Sequence, residues 1–177
     1  MLPYLFILFA FLFRFLPHHP LGFTPVAASL LFFGARGSRR QLWIPLALMA
    51  ASDVILTKFV YAFPFTWDHY VTFAWYAAIL WLGTNLRENA KPVRIIASAL
   101  ASSVSFFIVS NFAVWAVWTD MYPRTVTGLM TSYVVGLPFF QRTFAGDLLF
   151  TSAMFATPFV LAHLSHTLRH SSGPTAA

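Results

Sequence analysis

RTVTGLMTSYVVGLP, residues 124–138, decides how many times this chain crosses a membrane. It stands between two long apolar stretches, yet it is too short and too polar for an ordinary span of about 20 residues. Gly128, Gly136 and Pro138 punctuate it. The pattern predicts a surface helix that ends in a turn, or else a re-entrant piece or lid whose backbone is covered by protein. A full seventh span is the alternative, and it would carry Arg169 to the opposite side from the other basic loops.

Outward from this segment the chain is uniformly apolar. Of 177 residues, 59% are hydrophobic and 9% charged, and the mean hydropathy is +0.71. Apolar stretches recur at 1–16, 23–35, 42–62, 70–86, 93–118 and 143–168, separated by GARGSRRQ, PFTWDH, NLRENAKP and the longer 119–142. The expected fold is an all-α membrane protein with about six transmembrane helices plus a short interfacial or re-entrant helix. It forms one polytopic domain over 1–170, followed by a disordered cytoplasmic tail, 171–177. The first two stretches are short for a hydrocarbon core of about 30 Å, so they either thin the bilayer locally or pack as a broken pair. The first is read as a retained span rather than a signal peptide, because no basic residue precedes its apolar run and Pro17-His18-His19-Pro20 is no small-residue cleavage site.

The charge balance is +6. The cations lie in short loops between apolar spans, which points to membrane topology and a lipid bilayer as partner, not to nucleic acid. With both termini cytoplasmic, the inner segments hold Arg36, Arg39, Arg40, Arg87, Lys91, Arg94 and Arg169, and the outer ones only Arg124 and Arg142. That asymmetry predicts a multi-pass inner-membrane protein with both ends inside. Arg14 and Lys58 fall near outer span ends, where long side chains can snorkel to water.

The polar residues of the spans gather on the outer side. Asn111, Trp115, Trp118 and Tyr122 follow an i, i+4, i+7, i+11 pattern, a single helical stripe that reads as an interfacial aromatic belt or as a cavity wall. Asp53 sits near the middle of the third span, where an ionised carboxylate needs a partner or a proton. Lys58, five residues on and about 140° around the helix, is no local mate, so the partner belongs to another span. Asp147 is expected in the first turns of the last span, favoured by the helix dipole, with Arg142 or Lys58 as partner. Both acids read either as interhelical struts or as ligand contacts. The candidate ligand-binding set is therefore Asp53, Asn111, Trp115, Trp118, Tyr122, Arg142 and Asp147.

Enzyme chemistry has no foothold in the sequence. HExxH, GxSxG, P-loop and GxGxxG patterns are absent, and so is cysteine. His163, His166 and His170 share a helical face but lack an accompanying carboxylate or thiolate, so no metal or cofactor is expected.

FTPVAASLLFFGA at 23–35, ASDVIL at 51–56, SNFAVW at 110–115, MYPRTVTGLMTSYVVGLPFF at 121–140 and GDLLF at 146–150 resemble an uncharacterised family of small bacterial multi-pass membrane proteins. The size, the six spans and the outer polar cluster are similar to the substrate-binding S-components of energy-coupling-factor transporters. That second resemblance implies a small-molecule ligand and a coupling subunit as partner. S-components dock through an AxxxA pattern on their first helix; here the first span is Phe-rich, and Ala47-xxx-Ala51 and Ala97-xxx-Ala101 lie on the third and fifth. The expected function is binding or transport of a small solute, stacked on Trp115 or Trp118, through the outer pocket. The alternative is a structural or accessory membrane subunit without a ligand.

Overall fold

The computed structural model describes residues 1–16 and 22–171. Among them are six α-helices and no strand: α1 (Leu2–Phe13), α2 (Val26–Arg36), α3 (Trp43–Ile55), α4 (Asp68–Thr84), α5 (Pro92–Val117) and α6 (Val126–Ser171). A 3₁₀ turn, Arg39–Gln41, leads into α3, and a π turn, Leu56–Val60, extends it. Three stretches are long and apolar enough to cross a membrane: 39–60, 92–117 and 126–168. At 12 and 11 residues, α1 and α2 are shorter than such a crossing needs, and α4, at 17, stands at the lower limit.

Paired side chains fix the helix directions. Tyr4 and Phe6 of α1 meet Phe33 and Phe32 of α2, so these two run antiparallel. Tyr4 bonds Gln41 and Arg14 bonds Asp53, so α1 and α3 are parallel. Trp75 meets Ser105, whereas Asn85 lies by Arg94, which makes α4 and α5 antiparallel. Phe107 meets Tyr133 and Ser103 meets Asp147, which does the same for α5 and α6. The bundle therefore gathers Arg36, Arg39, Arg40, Arg87, Lys91 and Arg94 at one end, called here the basic end. The far end carries Lys58, Asp68, Asp120 and Arg124.

The second apolar stretch is the core of the molecule. Residues 26–35 of α2 are all buried, with Phe32 and Phe33 packed edge-on against Phe6, Phe155 and Tyr4. Its length is about 16 Å, and protein encloses it along the whole of residues 26–35. Ser29 returns its hydroxyl to the Val26 carbonyl at 2.8 Å, and Arg87 closes the C-terminus of α2, at the basic end, on the Gly37 carbonyl at 2.8 Å. A cation at a helix C-terminus also suits the dipole. Small residues let α2 and α4 touch backbone to backbone. A methyl group on Gly34 would stand 2.3 Å from the Leu80 carbonyl oxygen, and one on Gly83 2.4 Å from that of Leu31. Where lipid is as apolar as the core, close approach of this kind holds helices together better than buried area does.

Residues 126–138 do not form a separate surface or re-entrant helix. They are the first turns of α6, which runs through Pro138 and Pro158 for 46 residues, about 69 Å. Pro138 costs one backbone hydrogen bond, but in apolar surroundings any longer break would expose several unpaired groups, so the helix continues. Gly136 is no turn signal either. It admits Asn111, whose Oδ1 would stand 2.3 Å from a Cβ at that position. The expected tail lies outside the described residues apart from Ser171, as do His18 and His19.

Candidate functional site

Between the helices, on the far-end side, lies a cavity of about 420 Å³. Its base is an ion pair that sequence reasoning did not assemble. Arg14, one residue beyond α1, does not snorkel outward: Nη2 donates to Asp53 Oδ1, and Nη1 donates to Ser52 Oγ at 2.9 Å and to the Tyr76 hydroxyl at 3.1 Å. Ser52 in turn donates to the Met49 carbonyl at 2.7 Å. Arg14 and Asp53 side chains are only 14% and 13% exposed. Among the described residues, Asp53 Oδ2 is buried without a hydrogen-bond partner, which is unusual for an atom with full acceptor capacity.

Asp147 lines the same cavity and is 2% exposed. It lies 21 residues into α6, not in the first turns of its helix, so the dipole gives it no help. Its partner is neither Arg142 nor Lys58, both of which are exposed. Ser103 Oγ donates to Asp147 Oδ2 at 2.6 Å.

Asp68 and His69, at the start of α4, also line the cavity. The π turn leaves Thr57 Oγ1 3.0 Å from His69 Nε2, and His69 Nδ1 lies 3.2 Å from the Thr66 carbonyl and 3.3 Å from Asp68 Oδ1. Such widened turns often re-aim side chains at functional positions. Trp75, Tyr76, Phe106 and Phe139 supply aromatic walls, with the Trp75 indole N–H held by Ser105 Oγ at 3.0 Å. Thr24, Thr72 and Thr143 add hydroxyls. Among the described residues the lining thus sets three carboxylates against one guanidinium, and that guanidinium is already bound to one of them.

The remaining candidates fall elsewhere. α5 stops at Val117, so the stripe does not run on to Trp118 and Tyr122. Asn111 donates Nδ2 to the Phe107 carbonyl at 2.8 Å, packs on Gly136 and borders a neighbouring hollow of about 190 Å³. Trp115 fastens the connection from α5 to α6: its Nε1 donates to the Pro123 carbonyl at 3.0 Å, and the Arg124 guanidinium lies over the ring at 5.5 Å. Trp118 is half-buried, Tyr122 is buried, and neither lines the cavity. Arg142 is exposed on α6. Of the seven candidates, Asp53 and Asp147 come together; Arg14, Asp68, His69, Trp75 and Tyr76 join them. The only sequence signal for Arg14 was depth, since it and Asp53 lie 12 and 14 residues beyond Leu2 and Arg39 at the basic end.

These features define an all-helical protein of membrane type, with a polar, aromatic-walled cavity enclosed by its helices. The chain belongs to DUF6580, a family of unknown function, whose profile matches residues 1–169. Comparison with curated proteins and with solved structures found no match.

Proposed function

We propose that the chain binds a small, positively charged solute in the cavity between Asp53 and Asp147, as a membrane carrier or the solute-binding part of one. The observation that carries this reading is the excess of carboxylates over cations in an aromatic-walled space of solute size. A carboxylate removed from water needs a counter-cation or a proton. An ammonium group offers N–H donors to Asp53 Oδ2 and Asp147, and Trp75, Tyr76 and Phe106 line the same space, where a cation seated over a ring face gains about 0.5–2 kcal/mol. A flat anionic solute, by contrast, meets a guanidinium already paired with Asp53 and donating to Ser52 and Tyr76. The orientation belongs to the same proposal: the basic end faces the cytoplasm of a bacterial inner membrane, and the cavity opens outward. A separate coupling subunit, as in S-components, would supply the energy.

The rival reading is a structural subunit with a polar core, favoured by the three hydrogen-bonded partners of Arg14. Thermal unfolding of the purified protein with putrescine, tetramethylammonium, acetate and glucose separates the two. Stabilisation by the cations alone, weakened by about 1.5–3 kcal/mol in Asp147→Asn, supports the solute site. An unchanged Tm with every compound, or equal stabilisation by acetate, overturns it.

A further inference from the structure

The basic end holds a second cavity, separate from the first. It measures about 730 Å³ and lies between Arg39 and Leu42 ahead of α3, Trp81, Asn85 and Asn89 at the end of α4, and Arg94 in the first turn of α5. Among the described residues, Glu88 is the only acid in its lining. Cations crowd this end of the bundle. Arg87 is turned away onto the Gly37 carbonyl, and its pKa is lowered first by burial and then by the charge of Arg39. Arg94 makes one long hydrogen bond, 3.4 Å, to the Asn89 carbonyl. Repulsion between neighbouring guanidinium groups is relieved by an anion placed among them.

An apolar groove of about 280 Å³ adjoins this cavity and shares Asn85 and Arg94 with it. It passes Leu82 on α4, Leu86 in the turn that follows it, and Ala97 and Ala101 on α5. The Ala97-xxx-Ala101 spacing is not used for close helix contact here, since both residues are exposed. Their lack of side-chain volume is what leaves the groove open. Ala101 lies seven residues beyond Arg94, about 10 Å closer to the middle of the bundle. Trp81, 67% exposed, stands at the rim, as expected of an indole at headgroup depth.

We propose that the two spaces together hold one anionic phospholipid, with its phosphate diester between Arg39 and Arg94 and an acyl chain along Ala97 and Ala101. The basic cavity alone would accept any phosphate. The attached apolar groove selects one that carries a hydrocarbon chain, and basic pockets of this kind between membrane helices suit acidic headgroups. The site is independent of the solute cavity and stands whether or not that cavity takes a cation.

The test is native mass spectrometry of the full-length protein in a neutral detergent, titrated with phosphatidylglycerol, phosphatidylcholine or inorganic phosphate. The wild type is expected to retain phosphatidylglycerol in preference to phosphatidylcholine, and excess inorganic phosphate is expected not to displace it. Arg39→Gln and Arg94→Gln should each weaken phosphatidylglycerol retention roughly fivefold and leave phosphatidylcholine unaffected. Ala97→Leu with Ala101→Leu, which fills the groove, should weaken both lipids. Equal retention of the two lipids by the wild type overturns the proposal, and this comparison needs no variant to fold. Displacement by inorganic phosphate would also overturn it, assigning the cavity to a free anion.

Discussion

Arg14 and Asp53 show what a charged pair costs when it is placed among apolar helices. Each alone is several kcal/mol unfavourable in a dry interior, and the pair is tolerable because Ser52 and Tyr76 take up further guanidinium donors. Arg14→Leu should therefore leave a buried, unpaired carboxylate and lower stability by about 3–5 kcal/mol, read as a fall in Tm. Arg14→Leu combined with Asp53→Leu should recover most of that loss. If the two single losses simply add in the double variant, the residues are not coupled. Asp53→Asn keeps an acceptor for Arg14 and should cost less than Asp53→Leu. The need for a partner on another span was legible from Asp53 alone. Which residue filled it was not, because Arg14 sits where an arginine ordinarily reaches for water, and only packing of α1 against α3 turns it inward.

The helices themselves were largely legible as apolar runs, though among the described residues three stretches, not the six expected, are long and apolar enough to cross a membrane. α6 was the exception. Gly128, Gly136 and Pro138 are punctuation in water, where a broken helix finds solvent partners; in apolar surroundings the same residues sit inside a helix, and Gly136 makes room for Asn111. Asp147 was misplaced with it, since its depth depends on where the helix begins. The contact of α2 with α4 left only two isolated glycines as a trace in the sequence. Gly34→Ala and Gly83→Ala each put a methyl against backbone that cannot move aside as a side chain would, so each should cost about 1–3 kcal/mol in thermal unfolding. Wild-type stability in both would mean the helices do not touch there. At the other extreme, residues 159–168 of α6 are all exposed. A chain ending at residue 160 should keep the Tm of the full protein, and a marked drop would show that these turns pack against the bundle.

At the scale of the whole molecule, the two ends differ in charge, and each cavity lies toward a different end. The carboxylate-rich cavity reaches Asp68 and His69 toward the far end, while the arginine cavity and its groove lie at the basic end. This polarity matters only if the ends face different compartments. A potential negative inside would draw a cation from an outward-facing acidic cavity inward, and a cytoplasmic arginine pocket would meet an acidic leaflet. Because the chain has no cysteine, single cysteines report side without background. Placed in intact cells at Ser38 and Asn89, exposed at the basic end, they should resist a membrane-impermeant maleimide until the membrane is opened. At Phe63 and Thr119, exposed at the far end, they should label at once. Reversed labelling would put the acidic cavity on the cytoplasmic side and the arginine pocket in the outer leaflet, so the proposed direction of capture would be lost. Labelling of all four from one side would mean that the helices between them do not cross, and the bundle would have to lie against the membrane instead of through it.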